Sequence, residues 1–171
     1  SVPLNLFLLQ EVQRFQLVLE KVRSELKLVA QAIRGEVVIT SAIVEAMDNV
    51  FEARVPRAWV VSPSGDEISW FAPTIGLWVK GLADRDHQLR TWLANLVANN
   101  IRPKSNWFPG FFNPSGFLTA VQQEITRLHA DDGWALDGVS IHVEVADFDR
   151  AEQLKSAALP TEGVYIHGLY L

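Results

Sequence analysis

The stretch "WFPGFFNPSGFLTAVQQEITR", residues 107–127, places a Trp and three Phe in its first six residues and then turns helical. It carries no charge before Glu124 and no obvious catalytic group. Three readings are open: an exposed aromatic surface, a ligand pocket, or a buried wedge that fixes one element against another. The second half is plainer. Asn113-Pro114 is a strong helix start, because Asn as N-cap accepts an orphan N–H bond and Pro at the first position has no N–H to lose. Phe117, Val121, Ile125 and Leu128 then share one face.

Downstream the period changes from helical to alternating. In "GVSIHVEVAD" Val139, Ile141, Val143 and Val145 point one way and Ser140, His142 and Glu144 the other, which predicts a half-buried strand. "EGVYIHGLYL", residues 162–171, predicts a second strand with Val164 and Ile166 on one face and a bulge at Gly168.

Upstream the pattern is helical. Residues 4–34 predict one long amphipathic helix. Its apolar seam runs Leu8, Val12, Phe15, Leu19, Val22, Leu26, Val29 and Ile33, in alternating steps of 3 and 4. The seam could be a coiled coil, but Leu6, Phe7, Leu9, Leu17 and Leu28 widen it, which favours a core helix. Gly35 stands where a helix-ending glycine is expected. Val37 to Ile39 reads as extended. Thr40 is the expected N-cap of a second helix with Ile43, Met47, Val50 and Phe51 inward, ended or restarted at Pro56. Residues 60–69 are a loop with Pro63 and Gly65 as breakers. Residues 74–98 are helical again, with Ile75, Trp78, Leu82, Leu89, Trp92 and Leu96 on one face and Arg85 standing in the gap. "ADRDH", residues 83–87, is either a joint or an exposed turn of that helix, and residues 99–106 are a loop. Helices first and strands last point to an α+β fold.

The bulk properties narrow the function. The chain has 171 residues, 49% of them apolar, and a net charge of −5. It is long enough for one domain, or one domain and part of another. No basic run offers the stripe that a sequence-independent nucleic-acid binder needs. There is no cysteine, so disulfides and Cys-based zinc sites are excluded. No stretch approaches a membrane-spanning length of apolar residues, and the start lacks the features of a signal peptide.

No chemistry stands out. Gly76 and Gly81 have the spacing of a phosphate-binding loop, but Leu82-Ala83 occupy the places of the required Lys-[Ser/Thr]. His87, His129, His142 and His167 form no tight ligand pair. Asp84, Asp86 and His87 read as a solvated helix segment rather than a metal cluster. Glu124, Asp131, Asp132 and Glu144 could supply an acid–base pair, yet their spacing selects no two of them. The residues alone therefore assign no catalytic, cofactor-binding or metal-binding residue.

Five motifs in order carry a resemblance: "NLFLLQEVQRFQLVLEKVRSELKLVAQAIRGEVVIT", "VPRAW", "WFPGFFNPSGFLTAVQQEITR", "GWALDGVSIHVEV" and "EGVYIHGLYL". Together they cover essentially the whole sequence, which resembles the C-terminal region of dynein heavy chains, in a form closer to axonemal outer-arm than to cytoplasmic dyneins. The resemblance implies a segment of an ATP-driven, minus-end-directed microtubule motor built on a ring of six AAA+ modules, located at the cilium or flagellum axoneme. It implies a mainly helical part followed by the first strands of an incomplete β-barrel. Residues 1–35 would be a long helix near the end of the sixth module, 36–132 the helical part of the C-terminal domain, and 133–171 the start of its β part, truncated. ATP and Mg would bind upstream modules of the parent polypeptide, with no cofactor in this segment. Partners would be AAA+ modules of the same polypeptide, dynein intermediate and light chains, and microtubules through a distant part, with neither nucleic acid nor membrane. Residues 61–72 look longer than in relatives, and the family continues beyond Leu171.

On this reading Trp107, Phe108, Phe111 and Phe112 form a buried wedge between the helical and β parts, with Asn113 and Pro114 as helix cap. A base-stacking platform would need interleaved basic residues, and only Arg102 and Lys104 lie nearby. A pocket would need converging polar groups, and only Asn106 and Asn113 are close. The expected role is a non-catalytic structural and regulatory module that braces the AAA+ ring. The alternatives are a stand-alone helical adaptor binding a partner helix through the seam from Leu8 to Ile33, or an enzyme using the carboxylates near 124–144.

Overall fold

A computed structural model describes residues 2–99, 105–140, 164 and 166. These residues are mainly helical: α1 (Pro3–Ile33), α2 (Ser41–Phe51), α3 (Arg57–Val60), α4 (Ile75–Asn99) and α5 (Pro114–Leu128), with 3-10 turns at Phe108–Gly110 and Leu136–Gly138. Among the described residues no strand forms; the only β pairing is an isolated bridge between Val61 and Glu67. The expected strands fall almost wholly outside the described residues, so the β half of the α+β expectation is not carried by this structure. Val38 and Ile39 belong to no element. The chain divides into two units, Leu8–Phe112 and Ser1–Phe7 with Asn113–Leu171.

α1 has no Gly or Pro after Pro3 and is rich in Leu, Val, Glu, Gln and Lys, so propensity favours helix along its length. It ends on a Schellman motif. Gly35 takes φ +71°, its N–H donates to the Ala32 carbonyl, and the Glu36 N–H donates to the Gln31 carbonyl. Within the Leu8–Phe112 unit the buried stripe of α1 is Leu8, Glu11, Phe15, Val18 and Val22. That differs from the expected seam: Val12, Leu19 and Val29 are half-buried, Leu26 is exposed and Ile33 is 69% exposed. The buried stripe keeps the same spacing of 3 and 4 but turns Glu11 and Val18 inward, one residue before Val12 and Leu19; spacing alone does not choose between these two flanks of Leu8, Phe15 and Val22.

The core of this unit is built on tryptophan. Val18 and Val22 meet Trp59, Ala72 and Trp78, with Val55, Ile68, Trp70, Ile75, Leu82 and Phe112 packed around them. Trp70 stacks on Trp78 at 4.9 Å and 11°, and Trp59 lies 5.1 Å from Trp78. Such ring pairs contribute about 0.5–1.5 kcal/mol beyond the area they bury. The loop at 60–69 positions two of these rings. Ile68 and Ser69 both donate backbone N–H bonds to the Val60 carbonyl, and the Ser69 hydroxyl donates to the Trp59 carbonyl while accepting from Trp78 Nε1 at 3.1 Å. The tip is closed by hydrogen bonds among Ser62, Ser64 and Asp66.

α4 is one unbroken helix, so residues 83–87 are a turn of it and not a joint. α2 is capped by Thr40, whose hydroxyl accepts from the Ile43 N–H, and it ends in a second Schellman motif with Ala53 at φ +56°. None of its eleven residues is buried. The expected inward face is thus corrected: Ile43 and Met47 are half-buried, Val50 is exposed and Phe51 is 92% exposed. Amphipathic periodicity fixes a helix face, but it does not supply the surface that would cover it.

In the other unit, Asn113 accepts from the Gly116 N–H at 2.9 Å and Pro114 opens α5. Phe117 and Ala120 are buried, and Phe117 meets Phe7 edge to face at 5.5 Å. Glu124 accepts the Leu4 N–H at 3.4 Å, placing a carboxylate against the orphan donors at the start of α1. Past the end of α5, His129 stacks on Trp134 at 4.1 Å and pairs with Asp132 at 2.8 Å.

Candidate functional site

The strap Trp107–Phe112 is held at both ends and in the middle by side chains of α1 and α4. Gln88 grips the first residue twice: its Oε1 accepts the Trp107 N–H at 2.5 Å and its Nε2 donates to the Trp107 carbonyl at 3.2 Å. Arg85 donates to the Pro109 carbonyl at 3.4 Å and to the Gly81 carbonyl, one turn back, at 3.1 Å. Glu11, only 1% exposed, accepts the Phe112 N–H at 2.7 Å. A 3-10 turn has few internal bonds, so these side chains satisfy backbone groups that would otherwise face apolar surroundings.

Arg85 is the centre of the arrangement. It is 6% exposed, with its guanidinium 3.8 Å from the Trp70 ring centroid and 4.9 Å from that of Trp107. Burial pushes its pKa down to about 10, opposed by the nearby charges of Asp84 and Glu11. The group therefore remains cationic at neutral pH, and the two indole faces compensate part of the lost hydration. Two glycines make room for this stack. A Cβ on Gly110 would overlap the Trp107 ring, and one on Gly81 would lie 2.8 Å from Trp70 Nε1 and 3.1 Å from Arg85. Gly81, half of the rejected phosphate-loop spacing, is thus required by close packing.

The aromatic residues of the strap have unequal fates. Phe111 is buried and faces Trp92 at 6.1 Å. Phe112 is half-buried, between Trp70 at 6.2 Å and the guanidinium of Arg14 at 5.5 Å. Phe108 is half-buried, and Trp107 is 42% exposed with one face over Arg85. The β partner of the expected wedge lies outside the described residues. Of the seam residues, Leu8, Phe15 and Val22 are buried in the chain's own fold.

Sequence reasoning missed Glu11, Arg85 and Gln88 as organising residues. A signal existed for two of them. Glu11 lies three residues after Leu8 and four before Phe15, and Arg85 takes an apolar-periodic position in α4. A charge on a buried stripe calls for a partner.

The carboxylates near 124–144 do not converge. Glu124 is engaged with Leu4, Asp131 and Asp132 are exposed in a turn, and Glu144 lies outside the described residues. Asp84 pairs with Lys80 at 2.6 Å and Asp86 with Arg90 at 2.7 Å along the helix. Among the described residues no group of three or more His, Asp or Glu could hold a metal ion, and no helix is long and apolar enough to cross a membrane. A cleft of about 190 Å³ beside the strap is lined by Arg14, Glu67, Trp70, Arg85 and Phe112 among others. It contains no nucleophile set beside a base.

What these features define is a helical packing module, in which polar side chains hold backbone in place. The protein belongs to the family defined by the C-terminal domain of dynein heavy chains, whose model matches residues 1–171. It is 42% identical over 169 residues to dynein axonemal heavy chain 5 of Mus musculus, covering 99% of this sequence and 3% of that one. It is 41% identical over 168 residues to dynein axonemal heavy chain 8 of Homo sapiens, covering 98% and 3%. With the dynein gamma chain, flagellar outer arm, of Chlamydomonas reinhardtii it shares 42% over 175 residues, covering 100% and 4%. The sequence thus spans 3–4% of the length of these curated relatives.

Proposed function

We propose that this segment is a non-catalytic structural and regulatory part of an axonemal dynein heavy chain. In this reading the parent is an ATP-driven, minus-end-directed microtubule motor of cilia or flagella. The segment braces its AAA+ ring, with residues 1–35 near the end of the sixth module, 36–132 as the helical part of the C-terminal domain and 133–171 opening its β part. ATP and Mg act in upstream modules and no cofactor binds here. AAA+ modules of the same polypeptide are the direct partners, while intermediate and light chains and microtubules engage other parts.

The observation that carries this reading is the match along the whole segment to axonemal and flagellar outer-arm heavy chains at up to 42% identity. The strap adds physical support, since Glu11, Arg85 and Gln88 make α1, α4 and residues 107–112 a stiff unit. Stiffness is what a brace needs if displacement is to pass along it. The test compares the heavy chain with and without these residues for microtubule-stimulated ATP hydrolysis and for ring shape by electron microscopy. Loss of coupling with nucleotide binding retained is the expected result. Unchanged coupling and ring shape, or micromolar ATP binding by the segment itself in calorimetry, would overturn it.

A further inference from the structure

The loop at 60–69 is closed on itself at its tip. The Ser62 N–H donates to the Asp66 carbonyl at 2.9 Å, and the Gly65 N–H donates to the Ser62 carbonyl at 3.0 Å. The Ser62 hydroxyl accepts the Asp66 N–H at 3.0 Å, and the Ser64 hydroxyl donates to Asp66 Oδ2. Ser64, Asp66 and Glu67 are all exposed. In "SGDE", residues 64–67, two carboxylates follow the serine at its second and third positions, and residues 58–79 contain neither Lys nor Arg. Exposed loop tips of small polar residues are where modifying enzymes reach a folded chain, and protein kinases choose substrates by charge patterns of this kind.

We propose that Ser64 is a phosphorylation site for a protein kinase that selects acidic residues after its target serine, and that the phosphate opens the loop tip. The site uses only this loop, so it does not depend on the bracing role. In the transfer, Ser64 Oγ forms a bond to the γ-phosphorus of ATP, the bond to the departing ADP oxygen breaks, and the hydroxyl proton passes to the kinase's carboxylate base. Ser64 is favoured over Ser62, which precedes Pro63, because Ser62 is half-buried and tied by its N–H, carbonyl and hydroxyl to the loop. The phosphate removes the hydroxyl proton that Ser64 gives to Asp66 and sets roughly −1.5 to −2 charge beside that carboxylate. With no cation in this part of the sequence to receive it, repulsion decides the outcome. The effect reaches the core by a short route: Ile68 and Ser69 donate to the Val60 carbonyl, and the Ser69 hydroxyl joins Trp59 to Trp78.

The test treats the intact heavy chain with Mg·ATP and a purified serine/threonine kinase selective for an acidic residue at the third position after serine. Phosphopeptides are mapped by mass spectrometry, and amide hydrogen exchange is followed across residues 55–72. The expected result is a phosphate on Ser64 that Ser64→Ala abolishes and Glu67→Gln slows roughly tenfold, the loss of one charge-assisted contact to the kinase. Exchange at Ser62, Gly65 and Asp66 should then quicken roughly tenfold or more, as expected when the hydrogen bonds of the tip open. No phosphate on Ser64, or an equal rate for Glu67→Gln, would overturn the site. A phosphate on Ser64 that leaves exchange unchanged or slows it would overturn the opening, since the group would then be held by a cation.

Discussion

Residues 55–78 and residues 33–51 belong to the same unit, and both are rich in apolar side chains, yet one is core and the other surface. The first carries Trp59, Trp70 and Trp78, large rings that reach one another across a loop and a helix. Polar side chains fix their geometry: Ser69 bridges Trp59 and Trp78, and Arg85 lies on Trp70. The second carries Val, Ile, Met47 and a single Phe, and its side-chain hydrogen bonds stay local, such as Asn49 to the Glu45 carbonyl and Arg34 to Glu36. Apolar content thus makes burial available without assigning it. Assignment comes from rings long enough to interlock and from polar groups that fix the backbone around them.

The contrast is sharpest at Trp78, which is fully buried at the centre of the ring cluster. Trp78→Ala should destabilise the protein by roughly 3–5 kcal/mol, the range for emptying a large aromatic site. Chemical denaturation followed by circular dichroism reads this directly. A cost near 1 kcal/mol would mean that the tryptophan body collapses easily and does not set the fold.

Glu11→Ala tests the polar half of the same idea. It removes the acceptor of the Phe112 N–H and a negative charge near Arg85, so a loss of about 1.5–3 kcal/mol is expected for a hydrogen bond to a charged group. Glu11→Gln, which keeps a carbonyl acceptor, should lose less. Equal losses from both would show that the charge, and not the bond to the strap, is what counts.

Gly110→Ala probes the strap without touching a hydrogen-bonding side chain. The new methyl would overlap the Trp107 ring, and overpacking of this kind costs typically 1–3 kcal/mol. Trp107 should swing away from Arg85, which a shift in tryptophan emission would report. Unchanged emission together with unchanged stability would show the strap to be slack.

Much of the helical layout was legible in the sequence, because caps and breakers act locally. Gly35, Thr40 and Asn113-Pro114 announce helix ends by short-range hydrogen bonding, and the structure uses all three. The membership of the buried face was less legible. The expected seam takes Val12 and Leu19, whereas α1 turns Glu11 and Val18 inward, one residue earlier at the same spacing. The periodic positions of Glu11 and Arg85 do not identify their partners, Phe112 and the two indoles, which come from residues distant in sequence, 101 positions away for Phe112. Nothing in local spacing carries such a pairing. Phe51 reads as core from its period alone, and only the surroundings reveal that nothing among the described residues covers it.

The smallest expected effect lies at Phe51. Its side chain is 92% exposed at the last position of α2, so Phe51→Ser removes little buried area. Ser and Phe have similar helix propensities, so the backbone should not notice the change either. The substitution should therefore alter the stability of residues 1–171 by no more than about 0.5 kcal/mol, as at ordinary surface sites. Trp78→Ala, at a residue also aromatic and also helical, should cost several times more. Differential scanning calorimetry of the two variants side by side makes the comparison. A loss above about 1 kcal/mol for Phe51→Ser would mean that α2 is covered within this segment. The division between an interlocked body and an open apolar face would then fail at its clearest residue.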